Sequence, residues 1–258
     1  MLFPRPARSA LRVGRRARLF AVLTISLAVL LPIRLVTHRL SPRSASWIGV
    51  LFFRSLLAGL RIRVRLEGLI ADDALVVANH ISFTDILALG ASRPMAFVAK
   101  SEVRGWPLLG MLARLNATIF IERGAPRTID RQVEALATAL AKGPVALFPE
   151  GTTGNGAQVL QFRPALFAAA EGRRVQPVAI AYRPRGRDWE PGELAAFAWD
   201  GDKAFWPHLL AIADGPPIDC LLTVLPTMTA GPKDRKANAT DCREAIVATL
   251  SAPRAIRN

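Results

Sequence analysis

A chain of 258 residues, 51% of them hydrophobic, has room for one sizeable core, or for one domain with an appendage. The first 66 residues hold thirteen arginines and no Asp or Glu. The other twenty-one Lys and Arg face twenty acidic residues, so nearly all of the +14 net charge sits at one end and points to a membrane surface, not to nucleic acid. Two cysteines make no disulfide framework, and no Cys/His spacing fits zinc, so neither bridges nor a metal site is expected.

In chain order, Arg5, Arg8, Arg12, Arg15, Arg16 and Arg18 precede residues 19–33, a run without charge. Fifteen residues fall short of the ~20 that span a bilayer. Leu35 and Val36 extend the run if Arg34 snorkels. A cleaved secretory signal competes with this reading, since a basic flank and an apolar run are both present. No small-x-small site comes promptly after the run, because Ser44-Ala45-Ser46 lies beyond Arg34, Arg39 and Arg43. Arginine on both flanks also opposes translocation of the downstream chain. The expectation is a helix that dips into or spans the membrane, a second amphiphilic helix near 47–60, and a body on the cytoplasmic side. Residues 1–60 are the predicted anchor and 61–258 the predicted catalytic domain.

Beyond the anchor, strand-like apolar runs recur at 62–66, 75–78, 96–99, 118–121, 145–148, 177–182 and 221–225. Thr128 can cap a helix whose apolar residues Ile129, Val133, Leu136, Ala137 and Leu140 recur with helical period before Gly143. A helix over 164–171 would open on Pro164 and close at Gly172. Residues 183–217, rich in Pro, Gly and Trp, give no clear element. Residues 229–238 look like loop, with a final helix near 239–250. Strands alternating with helices predict an α/β fold, a mixed central sheet flanked by helices with an N-terminal membrane helix or helix pair.

Two chemically loaded turns come directly after strand-like runs. Asn79-His80-Ile81-Ser82-Phe83-Thr84-Asp85 places an imidazole and a carboxylate five residues apart. On one helix they would sit roughly 140° apart, so they meet only if His80 ends a strand and Asp85 opens a helix. Asp85 can then fix the imidazole tautomer, leaving the other nitrogen to take a proton from a hydroxyl. Equally, Asn79 and Asp85 could simply cap a turn around a structural histidine. Phe148-Pro149-Glu150-Gly151-Thr152 adds a carboxylate, a permissive backbone and a hydroxyl at a second strand end, where open sheets bind ligands. Its plain alternative is a tight Pro-x-Gly turn. Arg123 after a third run can grip an anion bidentately, and Lys100 after a fourth poses the same choice between ligand and surface charge.

The ordered set Asn79-His80-x4-Asp85, Ile119-Phe120-Ile121-Glu122-Arg123, Phe148-Pro149-Glu150-Gly151-Thr152 and Val175-Gln176-Pro177-Val178-Ala179-Ile180 resembles the glycerolipid acyltransferase family, typified by 1-acylglycerol-3-phosphate acyltransferase. The resemblance covers about residues 68–181. It implies that His80 is the general base, that Asp85 orients it, and that Arg123, Glu150, Gly151 and Thr152 bind the acyl acceptor, with Lys100 a further candidate. It implies acyl transfer from acyl-CoA or acyl carrier protein to a lysolipid hydroxyl at a bacterial inner membrane, with no other cofactor. Backbone N–H groups of the Gly151 turn are the expected oxyanion donors. Where phosphatidate-forming members carry arginine after the threonine, this chain has Thr153, and Arg163 or Lys100 is left to replace it. Glu150-Gly151-Thr152-Thr153-Gly154, Phe162-Arg163 and Trp199-Asp200-Gly201-Asp202 look like the proteobacterial branch that includes lyso-ornithine lipid acyltransferases. Lysophosphatidate, the family's commonest acceptor, leads, with lyso-ornithine lipid as the alternative. A lipid or thioester hydrolase is a second class, opposed by the lack of a Gly-x-Ser-x-Gly elbow. A non-catalytic membrane-binding module is a third.

Overall fold

The computed structural model describes residues 5–106, 109–122, 128–231 and 234–252. Its strands are β1 Ile62–Glu67, β2 Leu75–Ala78, β3 Ala96–Lys100, β4 Ile119–Ile121, β5 Val145–Leu147, β6 Arg174–Pro184, β7 Ile218–Val224 and β8 Met228–Thr229. They form one mixed sheet in the order β1-β7-β6-β2-β5-β3-β4, with β8 antiparallel to β6. Strand β2 runs parallel to both β5 and β6, and β3 parallel to both β5 and β4. Every residue of β2 and β5 is apolar and buried. Strands covered on both faces lose the in-out alternation, which is why these two read as continuous apolar runs.

One compact unit comprises residues 66–81, 95–181 and 221–258. Its core joins Leu75, Val77, Val145 and Leu147 of the sheet to Leu136 and Leu140 of helix α6 (Ile129–Leu140) and to Cys242 and Ile246 of helix α9 (Arg235–Ser251). A short helix, α5 (Leu109–Leu115), precedes β4 in the same unit. Helix α6 falls where its periodicity predicts. Helix α9 starts earlier than the polar tail led one to expect, because the Asp234 side chain accepts from the Ala237 N–H and caps it. Residues 165–170 form a helix inside the expected stretch 164–171, and it is of the 3₁₀ type.

The second unit comprises residues 1–65, 82–94 and 182–220. Helix α1 (Arg5–Ile25) passes through a π-turn (Ser26–Leu30) into α2 (Leu31–Leu40), and α3 (Pro42–Gly59) comes next. Residues Ser9–Leu40 make a 32-residue helix, long and apolar enough by length and composition to cross a membrane. At 1.5 Å per residue it measures about 48 Å. Pro32 has no N–H and its ring crowds the preceding turn; the wider π-turn lets the helix continue through it. The helix is two-sided. Leu19 and Ser26 are buried, with Ser26 and Ser55 sharing a 2.7 Å hydrogen bond between α1–π and α3, whereas Phe20, Ile25, Val29, Ile33 and Val36 are 45–62% exposed.

Helix α3 packs on α4 (Thr84–Ser92) at Gly90, where a Cβ would collide with the Phe53 ring. The Arg54 Nε donates to the Ala91 carbonyl at 2.8 Å beside it. Residues 183–217 yield α7 (Glu193–Phe197) and α8 (Phe205–Asp214). Phe83, Trp199, Phe205 and His208 form an aromatic cluster there.

Candidate active site

The histidines are sorted by their surroundings. His38 lies in the last turn of α2. His208 is 5% exposed, stacked on Trp199, and its pKa is lowered by burial and by nearby Lys203. His80 comes after the carboxyl end of β2 in a turn held at several points. The Asn79 side chain extends the sheet ladder: its Nδ2 donates to the Ile180 carbonyl at 3.0 Å and its Oδ1 accepts from the Ile180 N–H at 2.8 Å. The His80 N–H donates to Glu150 Oε1 at 2.6 Å, and the His80 carbonyl accepts from the Gly154 N–H at 2.9 Å. The imidazole stacks on Phe148, with centroids 4.1 Å apart and planes at 19°. The histidine and the Glu-Gly-Thr turn, 70 residues apart in sequence, are thus brought together.

Glu150 faces into the protein. It is 4% exposed, and its second oxygen accepts from the Leu160 N–H at 2.9 Å. The next residue, Gly151, adopts φ +72°, a left-handed conformation that favours glycine. Its N–H donates to the Phe148 carbonyl, closing the turn. A Cβ at Gly151 would also lie 2.9 Å from Arg163 Nε and 3.0 Å from its Cζ, so space as well as φ demands glycine here. Thr152 is exposed.

Asp85 belongs to the other unit and is fully buried in the first turn of α4. Its Oδ2 accepts from the Ser82 N–H at 2.9 Å and its Oδ1 from the Tyr182 hydroxyl at 2.7 Å. Thr84 Oγ1 donates to that hydroxyl at 3.0 Å. Burial, reinforced by the Asp85 charge, pushes the Tyr182 pKa well above the ordinary phenol value. The phenol therefore stays protonated and donates to Asp85. Sequence reasoning missed Tyr182. The available signal was that it is the single tyrosine of the chain and closes the apolar run after Pro177.

Strands β2, β5, β3 and β4 are parallel neighbours, so the residues just past their carboxyl ends share one edge of the sheet. His80 lies just past β2 and Glu150 just past β5, and Lys100 ends β3 with its Nζ 5.6 Å from the Trp106 ring centroid. β4 ends at Ile121; Arg123 lies outside the described residues.

An imidazole presented beside a glycine turn at the carboxyl edge of a parallel sheet lies where open α/β sheets bind ligands, and a histidine so placed can accept a proton from a bound substrate. Comparison with known proteins sharpens this. The family model described as Acyltransferase matches residues 61–181. A lyso-ornithine lipid O-acyltransferase of Rhizobium meliloti (strain 1021) is 39% identical over 201 residues, covering 71% of this chain and 68% of that protein. A 1-acyl-sn-glycerol-3-phosphate acyltransferase of Neisseria gonorrhoeae is 40% identical over 114 residues, 43% of this chain and 45% of that one. The crystal structure of the 1-acyl-sn-glycerophosphate (LPA) acyltransferase of Thermotoga maritima superposes with a TM-score of 0.68 at 20% identity, over 96% of this chain and 99% of that one. The chain belongs to the acyltransferase family, and it is an acyltransferase enzyme.

Proposed function

We propose that the protein transfers a fatty acyl group from an acyl thioester to the hydroxyl of a lysolipid at a membrane surface. The observation that carries this is the joining of the His80 turn to the Glu150-Gly151-Thr152 turn at one sheet edge. His80 removes the proton from the acceptor hydroxyl as its oxygen attacks the thioester carbonyl. The tetrahedral intermediate collapses, the C–S bond breaks, and the thiolate leaves and takes the proton back from the imidazolium. Such a base contributes ~10²–10⁴-fold.

Asp85, whose bonds within its own unit are to Ser82 and Tyr182, keeps the orienting role that the family resemblance assigns to it. Glu150 acts through His80, fixing the backbone from which the ring projects. The Gly151 and Gly154 amides already donate to Phe148 and His80 carbonyls, so an oxyanion donor from this turn falls to the Thr152 N–H. Arg123, Thr152 and Lys100 are left to contact the acceptor. No metal or further cofactor enters this reaction.

The similarity to lyso-ornithine lipid acyltransferases and the threonine at 153 favour lyso-ornithine lipid as acceptor. The shorter match to the Neisseria enzyme and the family resemblance keep 1-acylglycerol-3-phosphate as the second reading. The donor is acyl-CoA or acyl carrier protein. The exposed apolar side of residues 9–40 supports anchoring by residues 1–60 in the bacterial inner membrane, with residues 61–258 as the catalytic domain on its cytoplasmic face.

The test presents purified protein with each labelled acyl thioester and a panel of lysolipids. Product on lyso-ornithine lipid, on lysophosphatidate, or on both decides the acceptor, and free fatty acid without an acylated lipid counts against acyl transfer. His80→Ala is expected to abolish product while the protein stays folded and membrane-bound. Retained turnover in that variant would remove His80 from the mechanism.

A further inference from the structure

The Glu150-Gly151-Thr152 turn has two unlike faces. On the inner face the Glu150 carboxylate is buried and accepts from the His80 and Leu160 amides. On the outer face lie the exposed Thr152 and the exposed Arg163. Arg163 is not a loose surface side chain. Its own N–H donates to the Pro149 carbonyl at 2.8 Å, and its Nε, Cζ and Cδ lie 2.9–3.2 Å from where a Cβ of Gly151 would stand. The guanidinium is therefore laid against the turn that holds His80, in space left by the missing glycine side chain.

Other arginines of the chain have acidic partners: Arg16 pairs with Asp214, Arg63 and Arg185 with Asp219, Arg174 with Asp73, and Arg187 with Glu193. Among the described residues no carboxylate pairs with Arg163, and none of the hydrogen bonds found there uses its guanidinium. A planar fork of donors, fixed at its base and open at its tip, matches two oxygens of a carboxylate or phosphate. Prior seating on the turn also reduces the rotamer freedom lost on binding.

We infer that Arg163 receives the anionic group of the acceptor's head, a carboxylate or a phosphate, on the outer face of the Glu150-Gly151-Thr152 turn. The assignment rests on the acyl-transfer reading above and deepens it. It makes Arg163 a specificity-determining residue: the acceptor's anion docks on Arg163 while its hydroxyl is offered to His80.

The experiment compares the full-length wild type with Arg163→Gln and Arg163→Lys. Acceptors are lyso-ornithine lipid, its carboxylate methyl ester, and lysophosphatidate. Removing a charge-assisted pair at a partly open site is expected to raise the KM for the anionic acceptor about tenfold to a hundredfold. Lysine should recover part of the loss, the donor KM should hold, and the methyl ester should be used equally by all three proteins. Whichever anionic acceptor shows the dependence identifies the oxyanion. Equal loss on the ester, an unchanged KM for the anionic acceptors, or a raised donor KM would overturn the assignment.

Binding of the same lipids to each protein in detergent, monitored by tryptophan fluorescence, is read separately from turnover. Arg163-dependent binding of anionic lipid by an inactive wild type would sink acyl transfer and uphold the site. Equal binding by wild type and Arg163→Gln would sink the site alone.

Discussion

Glu150→Gln tests whether Glu150 supports His80, the base proposed above, or touches the acceptor. The substitution keeps shape and volume but replaces one carboxylate oxygen with an NH₂ that cannot accept. In the native turn one oxygen accepts from the His80 N–H at 2.6 Å and the other from the Leu160 N–H at 2.9 Å, in a side chain only 4% exposed. In the variant one of these amides must face another donor. An unsatisfied buried donor costs about 1–3 kcal/mol, and loss of charge assistance in the remaining bond adds about 1 kcal/mol. A total of about 2–4 kcal/mol corresponds to a Tm lowered by ~4–8 °C for a chain of this size. Because the tether acts on the His80 backbone, kcat should fall while the acceptor KM stays close to wild type. Thermal melting in detergent and steady-state kinetics measure both. Wild-type Tm and kcat combined with a raised acceptor KM would refute the tether and return Glu150 to acceptor binding.

Tyr182→Phe removes the 2.7 Å donor to Asp85 and strands the Thr84 hydroxyl, so kcat should drop about tenfold with both KM values held. A wild-type kcat in this variant would reduce Tyr182 to packing. At high pH the buried thiols and the phenol weaken the fold. Burial pushes the Cys242 pKa up to about 12 from 9.0 and raises those of Cys220 and Tyr182 as well. Above about pH 9 the unfolded chain loses thiol protons that the native state keeps, so stability should fall with rising pH, by at most about 1.4 kcal/mol per unit for each group. Denaturant titrations at about pH 8, 9 and 10 measure this, and a flat profile would contradict it. Finally, NaCl at about 1 M should leave the protein in the membrane fraction and detergent should release it; release by salt alone would show that charge, not the apolar stripe, holds it.

The parts of the site legible in sequence were local. A short apolar run leading into Asn79-His80, or into Pro149-Glu150-Gly151, announces a strand end and a turn within a few residues. What escaped was direction and distance. Whether Glu150 points outward to an acceptor or inward is set by the amides of His80, 70 residues away, and Leu160, ten residues on. Tyr182 meets Asp85 across 97 residues of chain, with no local pattern to betray it. Residues 183–217 stayed opaque because α7 and α8 are short and are separated by Trp199-Asp200-Gly201-Asp202. The 165–170 helix tightened to 3₁₀, a form that short helical segments adopt and that composition does not separate from α. The uncharged run stops at Arg34 on paper, whereas the helix itself runs on to Leu40.

The arginines of the first helix illustrate the same limit from the other side. Their clustering reads as a surface for anionic headgroups, yet several are spent inside their own unit. Arg15 donates to the Asp214 and Gly215 carbonyls at the carboxyl end of α8, and Arg61 donates to the Gly215 and Ala213 carbonyls there. Arg16 grips the Asp214 carboxylate with two nitrogens, and Arg18 donates to the Ala58 carbonyl near the end of α3. Helix carboxyl ends carry unpaired carbonyls and partial negative charge, so guanidinium groups are their natural caps. The first helix is consequently an arm clamped at its basic end, not a tether swinging on charge. Each arginine near a lipid surface would contribute about 1 kcal/mol and be screened by salt. Burying side chains such as Phe20, Ile25, Val29, Ile33 and Val36 contributes about 1.5–3 kcal/mol apiece and is not screened. Clamping therefore fixes the direction of the apolar stripe relative to α3 and α8, and the stripe supplies most of the free energy of membrane association.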